Sequence, residues 1–439
     1  MVSSTKRGPA ARRRENSTRD NTPRRVAAAT DSREFSGFLG LGIAPGLIEA
    51  IDRLKFTEPT PIQRRSIPLG IDGDDLIAIA QTGTGKTLAF GIPMLQRLAS
   101  LKGKGLVLVP TRELALQVEQ AIKDVGKSQG IRTAVLIGGA PMQPQQRDLR
   151  KKPRIIVATP GRLIDHVEKK NVSLRDVEIL VLDEADRMLD MGFAPQIKRI
   201  MAVIPKQRQT MLFSATMPRT IVTIARQHMK HPVHVEIARS GTAADNVIQE
   251  VFFVEKREKT SLLDVQLKQH PGPALVFTRT KYGASILTRN LKQLGYAAAE
   301  IHSNKTLPQR RKALDGFKSG KYRVLVATDI ASRGIDVQGI EIVVNYDMPS
   351  NSEDYVHRIG RTARAGRAGR AISFATFNQT VEVRAIEELT RTELAVSPLP
   401  KDFTPPLVIP LAQKVAKKSR FGIRRSRPGA RLRSGGRRR

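Results

Sequence analysis

The sequence predicts an α/β protein made of two parallel-sheet domains in tandem, with a basic tail at each end. Short, almost continuously apolar runs alternate with longer amphipathic stretches. The first series is DLIAIA (75–80), GLVLVP (105–110), RIIVATP (154–160), EILVLDE (178–184) and QTMLFSAT (209–216). The second is PALVFTRT (273–280), YAAAEIHS (296–303), RVLVATDI (323–330) and IEIVVNYD (340–347). Runs of this kind suit parallel strands buried on both faces, and the amphipathic stretches between them suit right-handed helical crossovers. The small, polar segment ARSGTAADN (238–246) separates the two series and reads as an interdomain linker. A length of 439 residues accommodates two such domains. The expected division is a tail over 1–35, a first domain over 36–238, a linker over 239–248, a second domain over 249–395 and a tail over 396–439.

Charge gives the first pointer to a ligand. Seventy-five Lys and Arg against forty-one Asp and Glu leave a net charge of +34. Residues 411–439 hold twelve Lys and Arg and no acid, and residues 1–34 hold nine against four, so the tails supply half the excess. Both are rich in Arg, Ser, Gly and Pro and read as disordered. Cations concentrated in this way favour a polyanion, because each phosphate neutralised releases condensed counterions. With Phe421 as a rare aromatic, the tails are expected to contact phosphate rather than stack on bases. The absence of cysteine excludes disulfides and thiolate metal sites. No apolar run approaches membrane-spanning length, and the N-terminus has no signal-like core. The expectation is therefore a cytoplasmic, monomeric protein with no membrane partner. The seven histidines show no metal-ligand spacing; His228, His231 and His234 are expected at a helix–strand junction.

Two motifs carry chemistry in the first domain. AQTGTGKT (80–87) follows an apolar run and precedes a helical pattern, the setting of a phosphate-binding loop. Thr82, Gly83, Thr84 and Gly85 would curl backbone N–H groups around phosphate oxygens. Lys86 would reach the outer phosphates and Thr87 would ligate Mg²⁺, so ATP or GTP is implied. The usual first glycine of the pattern is Ala80 here. DEAD (183–186) ends the run EILVL, where carboxylates sit at the ligand-binding edge of an α/β sheet. Asp183 could hold Mg²⁺ through water and Glu184 could take a proton from attacking water. Three acids within four residues at a helix start could be structural; the loop upstream makes hydrolysis the better reading.

At these residues the chain resembles the DEAD-box family of ATP-dependent RNA helicases, from about Phe38 to Arg367. The resemblance implies two RecA-like domains, ATP and Mg²⁺ as cofactors, and RNA as the partner. KFTEPTPIQ (55–63) is similar to the Q motif, placed within 36–64. It implies that Gln63 pairs with the adenine edge and Phe38 stacks on the ring. The usual leading glycine is Lys55, expected to be a tolerated exposed position. PTRELA (110–115), Gly138–Gly139 and TPGR (159–162) resemble the RNA-facing loops and imply contacts from Arg112, Gly138, Gly139, Thr159 and Arg162. SAT (214–216) implies coupling through Ser214, Thr216 and Asp186.

The second domain resembles the family in VFTRT (276–280), ATDIASRGID (327–336) and HRIGRTARAGR (357–367). Arg358, Arg361 and Arg364 recur every three residues, so they are expected along one side of a helix, needing an anion. The resemblance makes Arg361 and Arg364 catalytic arginines that complete the ATP site. It also implies that Asp336 touches the ribose, that Thr328 and Arg333 face RNA, and that His357 bridges towards the first domain. Ala363 replaces the commoner glycine of that motif and is expected to alter packing little. HSNKTLPQR (302–310) keeps Arg310 but has Leu307 where the family often has Gln, which puts one hydrogen bond in doubt. HSNK, HRIGRTARAG and the short basic tail resemble the bacterial RhlE-type branch.

The implied activity is local, non-processive unwinding or remodelling of RNA duplexes and RNA–protein complexes, in ribosomal or RNA-degradation settings. An ATP-gated RNA clamp without productive unwinding would keep every motif. A DNA translocase would share the phosphate loop and arginines but not the Gln63 context. A simple RNA annealer would explain the tails alone.

Overall fold

The computed structural model describes residues 37–80, 83–237, 247–329, 337, 339–363, 369–401 and 403. The expected 1–35 tail, the 238–246 segment and all but the first few residues of the 396–439 tail lie outside them. The first lobe contains β1 (Leu76–Ile79), β2 (Lys104–Leu108), β3 (Thr133–Leu136), β4 (Ile155–Ala158), β5 (Val177–Leu182), β6 (Gln209–Ser214) and β7 (Val233–Glu236). The second contains β8 (Val247–Phe253), β9 (Ala274–Phe277), β10 (Ala298–Ile301), β11 (Val324–Ala327), β12 (Ile342–Asn345), β13 (Gly369–Ala375) and β14 (Ala395–Val396).

The strand orders are β3-β4-β2-β5-β6-β1-β7 and β10-β11-β9-β12-β13-β8-β14. Shifting every label of the first order by seven gives the second, so the chain repeats one topology. Every described pairing is parallel, as in Leu76↔Met211 and Ala274↔Val324. Alternate side chains face opposite layers, as the two-residue period of a strand requires. In the first lobe Leu76, Val107, Val181 and Phe213 pack into one core, while Ile77, Leu106, Leu180 and Leu212 pack into the other. In the second, Val276, Val326 and Val344 face one layer and Leu275, Leu325 and Val343 the other.

The repeat extends to a half-buried device. Before β4, Arg154 donates through Nε to the Gly103 carbonyl (2.9 Å) and through Nη2 to Leu98 (2.9 Å) and Leu101 (2.8 Å). Before β11, Arg323 donates through Nε to Gly272 (3.2 Å) and through Nη2 to His270 (2.6 Å) and Leu267. Each fork satisfies carbonyls at the end of one helix and in the loop that leads to the next strand. Asp75 fastens the far side of the first sheet, accepting the Thr210 and Lys230 backbone N–H groups at 2.6 Å.

The second lobe is longer than the sequence suggested. Val247 and Ile248 belong to β8 rather than to a linker, Val396 lies in β14, and Phe403 packs on the second core. His228 ends the helix Arg219–His228 and His234 lies in β7. No described helix is long and apolar enough to cross a membrane.

Replacing Arg154 or Arg323 by Ala leaves three carbonyls without their donor, which should cost about 1–3 kcal/mol in urea unfolding. Lys should rescue neither, since it lacks the planar fork. A loss confined to a few tenths of a kcal/mol would show that water replaces the guanidinium.

Candidate active site

Parallel strands all end on the same sheet edge, and the motifs are distributed along it in two groups. The phosphate loop follows β1, DEAD follows β5 and SAT ends β6; these three strands are adjacent. PTREL follows β2, Gly138–Gly139 follow β3 and TPGR follows β4, and these strands form the other half.

Gly85 is the residue on which the loop turns. Its φ is +87°, and it caps the helix Lys86–Ser100. A side chain there would collide with the Gln63 amide. Gly83 is also left-handed, at φ +85°. The helix start directs unpaired backbone N–H groups at the site, which favours an anion. Lys86 is buried and donates from Nζ to the Ala80 carbonyl at 3.0 Å. Thr87 is half-buried beside it.

Asp183, Glu184 and Asp186 are all buried. Burial pushes the Asp183 carboxyl up to about 6, with the neighbouring Glu184 and Asp186 charges adding and Lys86 opposing. Such a cluster fits a cation. Among the described residues no three His, Asp or Glu side chains gather to hold a metal unaided. One carboxylate, the Thr87 hydroxyl and phosphate oxygens match the way Mg²⁺ is held at nucleotide sites. Glu184 has φ +52° and caps the helix Ala185–Asp190. Asp186 knots two strand ends together: its Oδ2 accepts from Ala215 N (3.0 Å), Thr216 N (2.8 Å) and Thr216 Oγ1 (3.0 Å), and its own N–H donates to Ser214 Oγ (3.3 Å).

Gln63 makes two internal bonds, accepting from Thr60 N at 3.0 Å and donating to the Gly85 carbonyl at 2.9 Å. This leaves one amide N–H and one lone pair for an adenine edge. Phe38 is 5% exposed and packed with the first core, not presented as an open shelf.

On the other half of the edge, the Arg112 guanidinium occupies the space a side chain at Gly139 would need, and Gly139 has φ +70°. Arg162 donates from Nη1 to the Ala140 carbonyl at 2.9 Å. Thr159 is buried at the start of the helix Pro160–Glu168. Thr328 is half-buried at the end of β11. Thr82, Arg333, Asp336 and Arg364 lie outside the described residues.

The expectation of three arginines along one helix side does not hold. The helix Ser352–Ile359 ends before Arg361, with Gly360 at its cap. Arg358 is paired inside the lobe: Nε and Nη2 meet the two Asp329 oxygens at 2.5 and 2.8 Å, and Nη1 donates to Asn345 Oδ1 and the Asp347 carbonyl. Its guanidinium also lies 5.0 Å from the Phe277 ring centre. Arg361 is buried and bonds through Nε to the His357 carbonyl at 3.2 Å.

Residues 60–224 match the family model described as DEAD/DEAH box helicase, and residues 258–366 match the helicase conserved C-terminal domain. The ATP-dependent rRNA helicase RRP3 of Debaryomyces hansenii is 43% identical over 379 residues, spanning 85% of this chain and 80% of that protein. The chain belongs to the DEAD-box ATP-dependent RNA helicases. The DEAD-box helicase CshA of Bacillus subtilis is also 43% identical, over 81% of this helicase and 69% of CshA. Among solved structures, Dbp5 of S. cerevisiae bound to RNA and ADP BeF3 has a TM-score of 0.76 at 32% identity, covering 83% of the helicase and 96% of that chain.

The lobes of this helicase meet through residues that its sequence only half announced. Arg310 reaches across to Glu113 at 2.9 Å, both buried. Burial pushes the Arg310 guanidinium down and Glu113 opposes that shift. Leu307 packs against the first lobe's core, so an apolar contact stands where a Gln amide was expected.

Two of the three substitutions of an expected glycine fall on left-handed backbone: Lys55 at φ +61° and Ala363 at φ +54°. Lys55 is exposed, as expected, and both residues add backbone strain that a glycine would avoid. Lys55→Gly should therefore raise stability by up to about 1 kcal/mol in thermal or urea unfolding, less the extra unfolded-state entropy of glycine. A loss of stability would show that the lysine side chain compensates for its own backbone.

Proposed function

We propose that this helicase hydrolyses ATP only when its two lobes close on RNA, and that closure separates short duplexes locally. The observation carrying this reading is the burial of Arg361, from the second lobe, in one cavity with Arg187, which lies one helical turn from Glu184. In this reading a cation from the second lobe would complete the catalytic edge of the first.

The first lobe would hold the nucleotide. Gly83, Thr84 and Gly85 offer backbone N–H groups, Lys86 offers a charge, Gln63 retains capacity for adenine, and Thr87 with Asp183 would hold Mg²⁺. When bound, ATP with its metal ion would supply an electrophilic γ-phosphorus and ADP as the leaving group. Glu184 takes the proton of the attacking water. Arg361 and Arg364 would place positive charge where negative charge develops in the transition state. Asp336 would touch the ribose. Asp186, Ser214 and Thr216 tie the end of β5 to the end of β6, so displacement of either motif is felt by the other.

Arg112, Gly138, Gly139, Thr159 and Arg162 on the first lobe, with Thr328 and Arg333 on the second, would follow the RNA backbone. Contacts to phosphate and sugar carry little sequence information, so broad substrate acceptance is expected. RNA and ATP each favour the closed arrangement and therefore favour one another's binding. Dbp5, one of the solved neighbours, was captured bound to RNA and ADP BeF3. The rRNA helicase RRP3 supports a ribosomal RNA setting. The HSNK loop, the HRIGRTARAG segment and the short basic tail support an RhlE-type assignment within the family.

Glu184→Gln should lower ATP turnover and strand displacement by about a hundredfold or more while keeping ATP-dependent RNA binding. With the unaltered protein, displacement yield should fall as the duplex lengthens. Full turnover by the variant would remove Glu184 as the base, and constant yield on long duplexes would exclude local unwinding.

A further inference from the structure

Arg187 has been given no chemical role so far, yet it is 1% exposed and heads the fully buried side chains by size. It sits in the helix Ala185–Asp190, one turn beyond Glu184. Burying a guanidinium is costly unless acceptors surround its five N–H donors. Its Nη1 stands 3.6 Å from Glu184 Oε2, an ion-pair distance longer than a hydrogen bond. Its Nε and Nη1 make no hydrogen bond. A side chain placed this way is poorly explained by the first lobe alone.

The second lobe supplies the missing surroundings. Arg187 lines a cavity of about 10 Å³ together with Asp329, Asp354, His357, Arg358 and Arg361. A space of that size and polarity suits a single water molecule. Asp329 is already bidentate to Arg358, which satisfies one cation of the second lobe with one of its acids. Arg361 and Arg187 then bring two more positive charges to the same seam. The acids facing them are Asp354 from the second lobe and Glu184 from the first, so Arg187 lies in the same charged seam as an acid on each side of the lobe boundary.

We propose that Arg187 is a positioning residue that transmits lobe closure to the base. Docking of the second lobe brings Asp354 to its guanidinium, directly or through one water, and the guanidinium thus held fixes the Glu184 carboxylate towards the attacking water. When the lobes part, Arg187 loses that second anchor and Glu184 loses its fixed orientation. This inference rests on Glu184 being the base, as proposed above.

The test is steady-state ATPase kinetics at saturating RNA for Arg187→Gln, Arg187→Lys, Asp354→Asn and the Arg187→Gln/Asp354→Asn pair, with Glu184→Gln alongside. Arg187→Gln should lower kcat at least tenfold, with KM for ATP and the affinity of the RNA-free protein for ADP within about threefold of the parent. Arg187→Lys should recover part of kcat, because charge returns without the fork. Asp354→Asn should lower kcat similarly, and the pair should lose little more than either single variant, since both break one link. A kcat within twofold of the parent, a loss confined to KM or to ADP affinity, or additive losses in the pair would overturn the proposal. Should Glu184→Gln itself turn over normally, the reading of Glu184 fails, and that result is separate from any seen with Arg187.

Discussion

Parallel strand pairing is the constraint on which the rest of this molecule depends. It puts the C-terminal ends of all strands in a sheet on one edge, so loops distant in sequence become neighbours without any dedicated contact. In the first lobe the order β3-β4-β2-β5-β6-β1 then sorts those loops into two groups. Phosphate chemistry gathers over β5, β6 and β1, and the loops assigned to RNA gather over β3, β4 and β2. The boundary falls between β2 and β5, adjacent strands that carry PTREL and DEAD. A single sheet thus sets the two proposed ligand sites a few strand spacings of roughly 4.8 Å apart.

Repetition of that topology explains how a second lobe can complete the first. The two sheets present equivalent edges, and their meeting leaves charged side chains buried between them. Arg310 with Glu113, Arg187 near Glu184, and Arg361 above the same region all occupy this seam. Removing such groups from water costs about as much as their mutual attraction returns. In the proposed closure cycle, a seam of this kind would let differential binding by ATP and RNA shift the balance between open and closed arrangements. An apolar seam of the same size would hold the lobes together permanently. Leu307, packed on the first core, adds one apolar contact to an otherwise charged boundary.

Much of this was legible in the residues. Strands buried on both faces announce themselves as apolar runs: β1, β4, β6 and β9 to β12 fall within the runs identified, and β2 and β5 begin one residue before theirs. The remaining strands were hidden by their settings. β3 lies at a sheet edge and shows only TAVL, β8 mixes Gln and Glu into its length, and β13 directly follows an arginine-rich motif. The phosphate loop and DEAD could be read because their chemistry is local. The fate of Arg358 could not, because its partner Asp329 lies 29 residues away and is joined only by folding. Periodicity also extended a helix past Gly360, where the backbone turns left-handed at Ala363. Arg187 went unnoticed because an arginine after an acidic tetrad reads as an ordinary exposed partner, and only burial reveals otherwise.

The central claim is that the site is divided between lobes and assembled by closure, and the absence of native cysteine makes that directly measurable. Lys102→Cys on the first lobe and Lys292→Cys on the second, both exposed positions, can carry a pair of spin labels without background. Distances from pulsed electron resonance should be broad for the protein alone, with RNA alone and with a non-hydrolysable ATP analogue alone. They should collapse to one narrow, shorter population when RNA and the analogue are present together. The same distribution under all four conditions would contradict assembly by closure.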